Sequence, residues 1–208
     1  MSKRTIIVTA ASLTLIALAA PFALSSSRAQ EPGLDGFTAR GVVVSVQGQA
    51  LATLQRVEAN GHVGQVLGTH ELRRQPSRAF YRIETTGGAG CYGIGEAAGL
   101  QAASFAAVSC PLPDGMEKPF PSADKPVLDL SFAITPHGGT TRLASVEGFA
   151  ADDVSAVQVA DSAGRVLGGA SVVDNTFRLS PVPDGAVVLL GLDRTGKIVY
   201  SQDHTLAR

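Results

Sequence analysis

Gly191, Gly196 and Lys197 stand at the spacing of a phosphate-binding loop, Gly-x-x-x-x-Gly-Lys, in which backbone amides and the lysine cradle phosphate oxygens. The next residue is Ile198, where a hydroxyl must reach magnesium, and Ile198-Val199-Tyr200 reads as a strand. A helix whose first amides face the phosphates is required there, so a hairpin is expected instead. Gly93-Ile94-Gly95-Glu96-Ala97-Ala98 has the letters of a dinucleotide fingerprint, but Gly99 follows directly and no strand-helix-strand unit surrounds it. Ser122 and Lys125 have the Ser-x-x-Lys spacing that brings a lysine beside a nucleophilic serine on one helical turn. Pro121 and Pro126 bracket them, and neither Ser-Asp-Asn nor Lys-Thr-Gly occurs. His62, His70, His137 and His204 are scattered without metal-ligand spacing and are expected to be solvated. Asp152-Asp153 lacks the further oxygens that calcium needs. No catalytic residue, cofactor or metal is therefore expected.

Two features retain chemical content. Arg73, Arg74, Arg78 and Arg82 form a basic cluster beside Phe80 and Tyr81, suited to an anionic envelope polymer or a lipid headgroup; the alternative is a solvated strand face. Cys91 and Cys110 are the two cysteines of the chain. In an oxidising compartment they are expected to pair, closing a loop of about 20 residues worth roughly 3 kcal/mol. They are not spaced as Cys-x-x-Cys, and no basic neighbour lowers either thiol pKa, which disfavours a redox role.

The compartment is suggested by the first 29 residues. Lys3 and Arg4 precede an apolar run from Thr5 to Leu24, followed by Ser27-Arg28-Ala29, the order of an export signal with cleavage after Ala29 or, alternatively, after Ser25. An uncleaved anchor is the other reading, since a minimal membrane-spanning helix needs roughly 20 apolar residues. Removal of Lys3, Arg4 and Arg28 takes the net charge from −1 to about −4, which disfavours nucleic acid as a partner.

The rest of the chain must supply the elements. Glycine is abundant (23 residues), tryptophan is absent, and apolar residues alternate in short stretches between Gly, Asn and Asp, which predicts an all-β, antiparallel fold. Gly41–Val46, Leu51–Glu58, His62–Gly68, Ala79–Glu84, Tyr92–Gly95 and Leu100–Ser109 read as strands, with Asn60-Gly61 closing a hairpin. Five prolines between Pro111 and Pro126 interrupt any ladder. The expected organisation is an export segment 1–29, a β-rich domain 30–115 with one disulfide, a linker 116–126 and a second domain 127–208. In that last part seven short strands alternate with turns, two of them Asp-x-x-Gly, at Asp161–Gly164 and Asp193–Gly196.

Asn175-Thr176-Phe177-Arg178-Leu179, Val182-Pro183-Asp184-Gly185-Ala186-Val187-Val188 and Leu192-Asp193-Arg194-Thr195-Gly196-Lys197 resemble the late strands of bacterial immunoglobulin-like domains. The resemblance covers about Val127 to Arg208 and departs from the family where Val187 replaces a large aromatic. It implies a β-sandwich used as a spacer or binding module and assigns no functional residue. The expected function is that of an exported, non-enzymatic surface-binding or cell-envelope structural protein. An envelope polymer or another envelope protein is the expected partner, with membrane contact only through the N-terminal segment. An exported hydrolase with a dispersed site, or a membrane-anchored sensor ectodomain, is the alternative.

Overall fold

In the computed structural model, residues 36–59, 63–88, 90–98, 101–111, 119–134 and 142–204 are described; they lie within one compact unit, Pro32–Arg208. The first sheet is a four-stranded antiparallel meander of β3 (Val66–Gln75), β4 (Arg78–Thr85), β5 (Cys91–Ala98) and β6 (Gln101–Ser109). One short segment reaches both of its edges: β1 (Val42–Val43) pairs antiparallel with β3, and β2 (Ser45–Val46) pairs parallel with β6. Between them Val44 N–H donates to Thr69 O at 2.9 Å, and beyond them Gln47 N–H donates to Ala102 O at 3.1 Å. Both edges are thus partly covered, which limits the unpaired backbone that would otherwise template aggregation.

The expected strand Leu51–Glu58 is instead part of a helix, α1 (Gly48–Ala59). Its Ala, Leu, Gln, Arg and Glu residues favour helix, and Ala50, Leu54 and Val57 recur at the helical period. Ala50 and Leu54 are buried, and Val57 packs beside Leu54, Val63, Ile83 and Cys91. The Asn60-Gly61 turn and His62 lie outside the described residues. The strand expected to end near Gly68 runs on to Gln75 and turns back through Pro76-Ser77.

The remaining described strands number eight where seven are expected, because the stretch Val127 to Ile134, expected as one strand, is divided at Leu130-Ser131: β7 (Val127–Asp129), β8 (Phe132–Ile134), β9 (Arg142–Ala150), β10 (Val154–Ala160), β11 (Val166–Ser171), β12 (Thr176–Leu179), β13 (Val188–Asp193) and β14 (Ile198–Asp203). They form one antiparallel sheet in the order β11-β10-β13-β14 and a second in the order β12-β9-β7, with β8 also on β9. Val127, Val146, Phe177, Val157, Val159 and Leu189 from the two sheets close a common core. At both Asp-x-x-Gly turns the aspartate accepts backbone N–H bonds two and four residues on, and Gly164 and Gly196 take positive φ.

A second core joins the first sheet to these strands: Leu72, Phe80, Tyr92 and Ile94 pack with Leu128 and Phe149. Phe80 and Phe149 meet edge-on at 5.8 Å between centroids. Of the segment expected as a linker, residues 119–126 are described, and Phe120 packs against Tyr92 at 4.9 Å and Phe37 at 5.9 Å. Among the described residues the fold is therefore predominantly antiparallel β with one short helix.

Candidate functional site

Cys91 and Cys110 are joined by a disulfide across the open end of the β5–β6 hairpin, with Cα atoms 4.3 Å apart. The adjacent register, Tyr92 opposite Ser109, places them face to face. The expected pairing is borne out.

Gly93 and Gly95 belong to β5, not to a helix start. A Cβ on Gly95 would lie 1.9 Å from Ser104 O, and one on Gly93 would press the Phe105 ring at 2.9 Å. Close strand approach therefore accounts for the fingerprint-like letters. Gly191 lies in β13 opposite Tyr200, and Asp193 to Lys197 form the β13–β14 turn. Ser122 and Lys125 form a tight turn in which Lys125 N–H donates to Ser122 O at 3.0 Å and to its hydroxyl at 3.1 Å.

The four arginines divide between the two faces of the first sheet. Arg78 and Arg82 alternate with buried Ala79, Tyr81 and Ile83, so they share the Phe80 face; Arg73, opposite Phe80 on β3, joins them. Arg74 lies opposite Ala79 and forms a bidentate pair with Glu71 at 2.8 and 2.7 Å, which raises its pKa. Arg78 reaches inward to Glu147 on β9 at 3.2 Å, and Arg178 on β12 meets the other oxygen of the same carboxylate at 3.2 Å. Glu147 is fully buried, so this Arg-Glu-Arg group clamps elements from both halves of the molecule. Arg82 flanks Tyr92, whose phenol is pushed up to about 12 by burial, partly opposed by the arginine's charge. The Arg82 Nε is buried without a hydrogen-bond partner.

Two histidines fall on described residues, and both meet carboxylates: His70 lies 3.3 Å from Glu84, and His204 Nε2 lies 2.5 Å from Asp129 Oδ2. The second contact is too bent for a well-formed hydrogen bond. Close side-chain contact with Asp129 nevertheless raises the His204 pKa, against the lowering effect of burial, with further help from the charges of Asp129 and Asp203. Ser131 donates both its N–H and its hydroxyl to the other oxygen of Asp129. The carboxylate thus stands between hydroxyl and imidazole, an order that does not let the histidine take the serine proton. Among the described residues no three His, Cys, Asp or Glu side chains converge where a metal ion could sit. None of the described helices is long and apolar enough to cross a membrane.

Among the described residues, cavities open at the surface in several places. One of about 580 Å³ surrounds the β3–β4 turn between Arg74, Arg78 and Glu96. Another of about 400 Å³ lies beside Asp152, Asp174, Asn175 and Arg194. There Asp152 Oδ1 accepts from Thr38 N–H, the Thr38 hydroxyl and the Asn175 amide, all at 2.9 Å, a lock between the start of the described chain and the β11–β12 turn.

The third cavity, about 340 Å³, is the cleft between α1, the β1–β2 segment and β3. Its rim is exposed and apolar: Val43 is 68% exposed, Leu67 66% and Leu51 44%, with Val42 adjacent at 62%. Its floor is buried: Val44, Leu54 and Thr69 are 6%, 3% and 2% exposed. The Thr69 hydroxyl there has no hydrogen-bond partner. Glu58, at the helix end, holds the start of β3 by accepting the Val66 N–H at 2.7 Å. The cleft is absent from the sequence-based expectation because α1 was expected as a strand; the Ala50, Leu54, Val57 period is the signal that marks it.

No protein-family model, curated protein or solved structure matches the chain.

Proposed function

We propose that this protein works after export as a non-enzymatic binding or cell-envelope structural module. In this reading the first sheet presents the contact surface, and the two sheets of residues 127–208 form an immunoglobulin-like sandwich that carries it. The observation that supports it best is the cluster of exposed apolar side chains, Val42, Val43, Leu51 and Leu67, around a cleft with a buried floor. Contiguous exposed apolar surface in a folded domain marks an interaction site. A disulfide is compatible with an oxidising compartment, and the order of Lys3-Arg4, apolar run and Ser27-Arg28-Ala29 agrees with it. Another envelope protein or an envelope polymer is the partner class in this reading. An anionic partner would meet Arg73 and Arg82, since Arg74 and Arg78 are already engaged by carboxylates.

The test is N-terminal sequencing of the protein from culture supernatant and from membranes, together with thiol alkylation under non-reducing conditions. A mature terminus near Gln30 and no alkylated cysteine are the expected results. A chain that keeps Met1 in the cytoplasm with both thiols reactive would overturn the reading, whereas Met1 retained in the membrane fraction would identify an anchored ectodomain.

A further inference from the structure

We infer that β11 is a pairing edge for a second copy of this chain, the two strands running antiparallel about a two-fold axis at Gly169. The inference goes beyond the binding reading above, which places the contact surface on the first sheet. It rests on the backbone of this edge, on its side chains and on the charges at its ends.

β11 closes one side of the β11-β10-β13-β14 sheet, with β10 as its neighbour there. Val172 N–H donates to Ser155 O at 2.9 Å, and Ala170 and Gly168 continue that register opposite Val157 and Val159. These residues point their peptide groups at β10, so Leu167, Gly169 and Ser171 point theirs away from the sheet. Among the described residues no loop or side chain hydrogen-bonds to those three N–H or C=O groups. Gly169 and Ser171 are exposed. The outward row is therefore open to a further strand.

Folded proteins ordinarily blunt such an edge with a charge, a proline or a bulge. β11 reads Val-Leu-Gly-Gly-Ala-Ser, without charge or proline, and its register shift opposite Ala160 falls at one end, leaving Gly168 to Ser171 regular. The other C-terminal edges differ. β14 ends in Asp203, β12 carries Arg178 and β7 carries Asp129. The edges of the first sheet are partly covered by β1 and β2.

The occupant follows from the symmetry of the residues. A two-fold axis at Gly169 sets that residue against itself and Leu167 against Ser171 of the other copy, so each outward N–H meets an outward carbonyl. Glycine at the axis leaves no side chain to hold the backbones apart. Val166 and Val173 are exposed near opposite ends of the strand, and antiparallel pairing lays each beside the other copy's counterpart. Arg165 precedes Val166 and Asp174 follows Val173, both exposed. Antiparallel pairing brings Arg165 of each copy to the end that holds Asp174 of the other, whereas parallel pairing would set like charges together. The edge is thus complementary to itself, and a two-fold contact closes at two chains.

The experiment uses the exported, disulfide-bonded protein, in sedimentation equilibrium and amide hydrogen exchange from micromolar to millimolar concentration. A short paired edge buries little area, so the contact is expected at the upper end of that range. The mean mass should rise from that of one chain and level at twice that value. The amides of Leu167, Gly169 and Ser171 should exchange about ten-fold more slowly once about nine-tenths of the chains are paired, since they are open only in the free chain. Ser171→Lys places a charge on the edge without removing a bond to β10, and should keep the mass of one chain with an unchanged thermal midpoint. Asp174→Asn keeps a residue suited to the positive φ there and should weaken pairing about five-fold.

A mass of one chain at millimolar concentration would overturn the proposal and leave the binding reading untouched. A mass that climbs past two chains would replace the closed pair by an open array. Doubled mass without slower exchange at the three amides would place the contact on another surface, and undiminished pairing by a well-folded Ser171→Lys would do the same. Should that variant lower the thermal midpoint, exchange at the three amides decides alone.

Discussion

Glu147 carries a charge into the interior with no exposed surface, and it is tolerated because two guanidinium groups from different strands share it. Arg78 and Arg178 are themselves mostly covered, at 25% and 20% side-chain exposure, so little water screens them. Removing the carboxylate would leave two like charges facing each other in a desolvated setting. Glu147→Ala is expected to lower the unfolding free energy by about 3–5 kcal/mol, measured by urea denaturation. Arg74, exposed and paired with Glu71 on the opposite face, should matter far less, because exposed ion pairs contribute at most about 1 kcal/mol. The arginine cluster is continuous in the sequence and divided in space. Strand alternation already implies that split between Arg74 and Arg78, and Glu71 stands near Arg74 in the chain, but the Glu147 partner of Arg78 lies 69 residues away and has no local signature.

Among the elements, β5 and β6 form the stapled hairpin. The disulfide ties Cys91 to Cys110 over a separation of 19 residues, and Cys91 is fully buried against Leu54, Val63 and Ile83. Paired Cys91→Ala and Cys110→Ala substitutions are expected to cost about 2–5 kcal/mol, seen as a lower thermal midpoint. Adding reductant to the unsubstituted protein should lower the midpoint comparably. The helix α1 rests on the same cluster through Leu54 and Val57, so it should be the first element loosened when the staple is removed. Helix α1 also shows where a local reading goes astray. Asn60-Gly61 is a strong hairpin signal, and it draws the preceding apolar residues into a strand although their spacing suits a helix equally well. What decides between them is the sheet surface that Ala50 and Leu54 cover, a property of strands distant in sequence.

In the molecule as a whole, the two sheets of the C-terminal half are clasped at one end by His204 and Asp129. The histidine follows β14 and the aspartate ends β7, so the contact runs from one sheet to the other. Because the folded protein raises the His204 pKa, the protonated form is the one the fold favours. The stabilisation is fully present below the ordinary histidine pKa of about 6.5 and fades as pH rises through the higher folded value. Urea midpoints of the parent and His204→Gln should therefore differ most near pH 5.5 and converge above the folded pKa. Equal gaps at both ends of that range would exclude the clasp as the source.

Several features were determined by the sequence alone: the export-type order of the first 29 residues, the cysteine pairing, the antiparallel β class, and the strand series from Val127 onward with its Asp-x-x-Gly turns. Each follows from interactions among residues close in the chain, where alternation, proline and glycine geometry or a turn aspartate act over a few positions. Tertiary structure alone decided that Leu51 to Glu58 coils, that Phe80 and Tyr92 share a core with Phe149, that Glu147 gathers two arginines, and that Thr69 sits at the floor of an apolar cleft. These depend on which surfaces are left to be covered once distant strands have paired, and that information is spread over the whole chain.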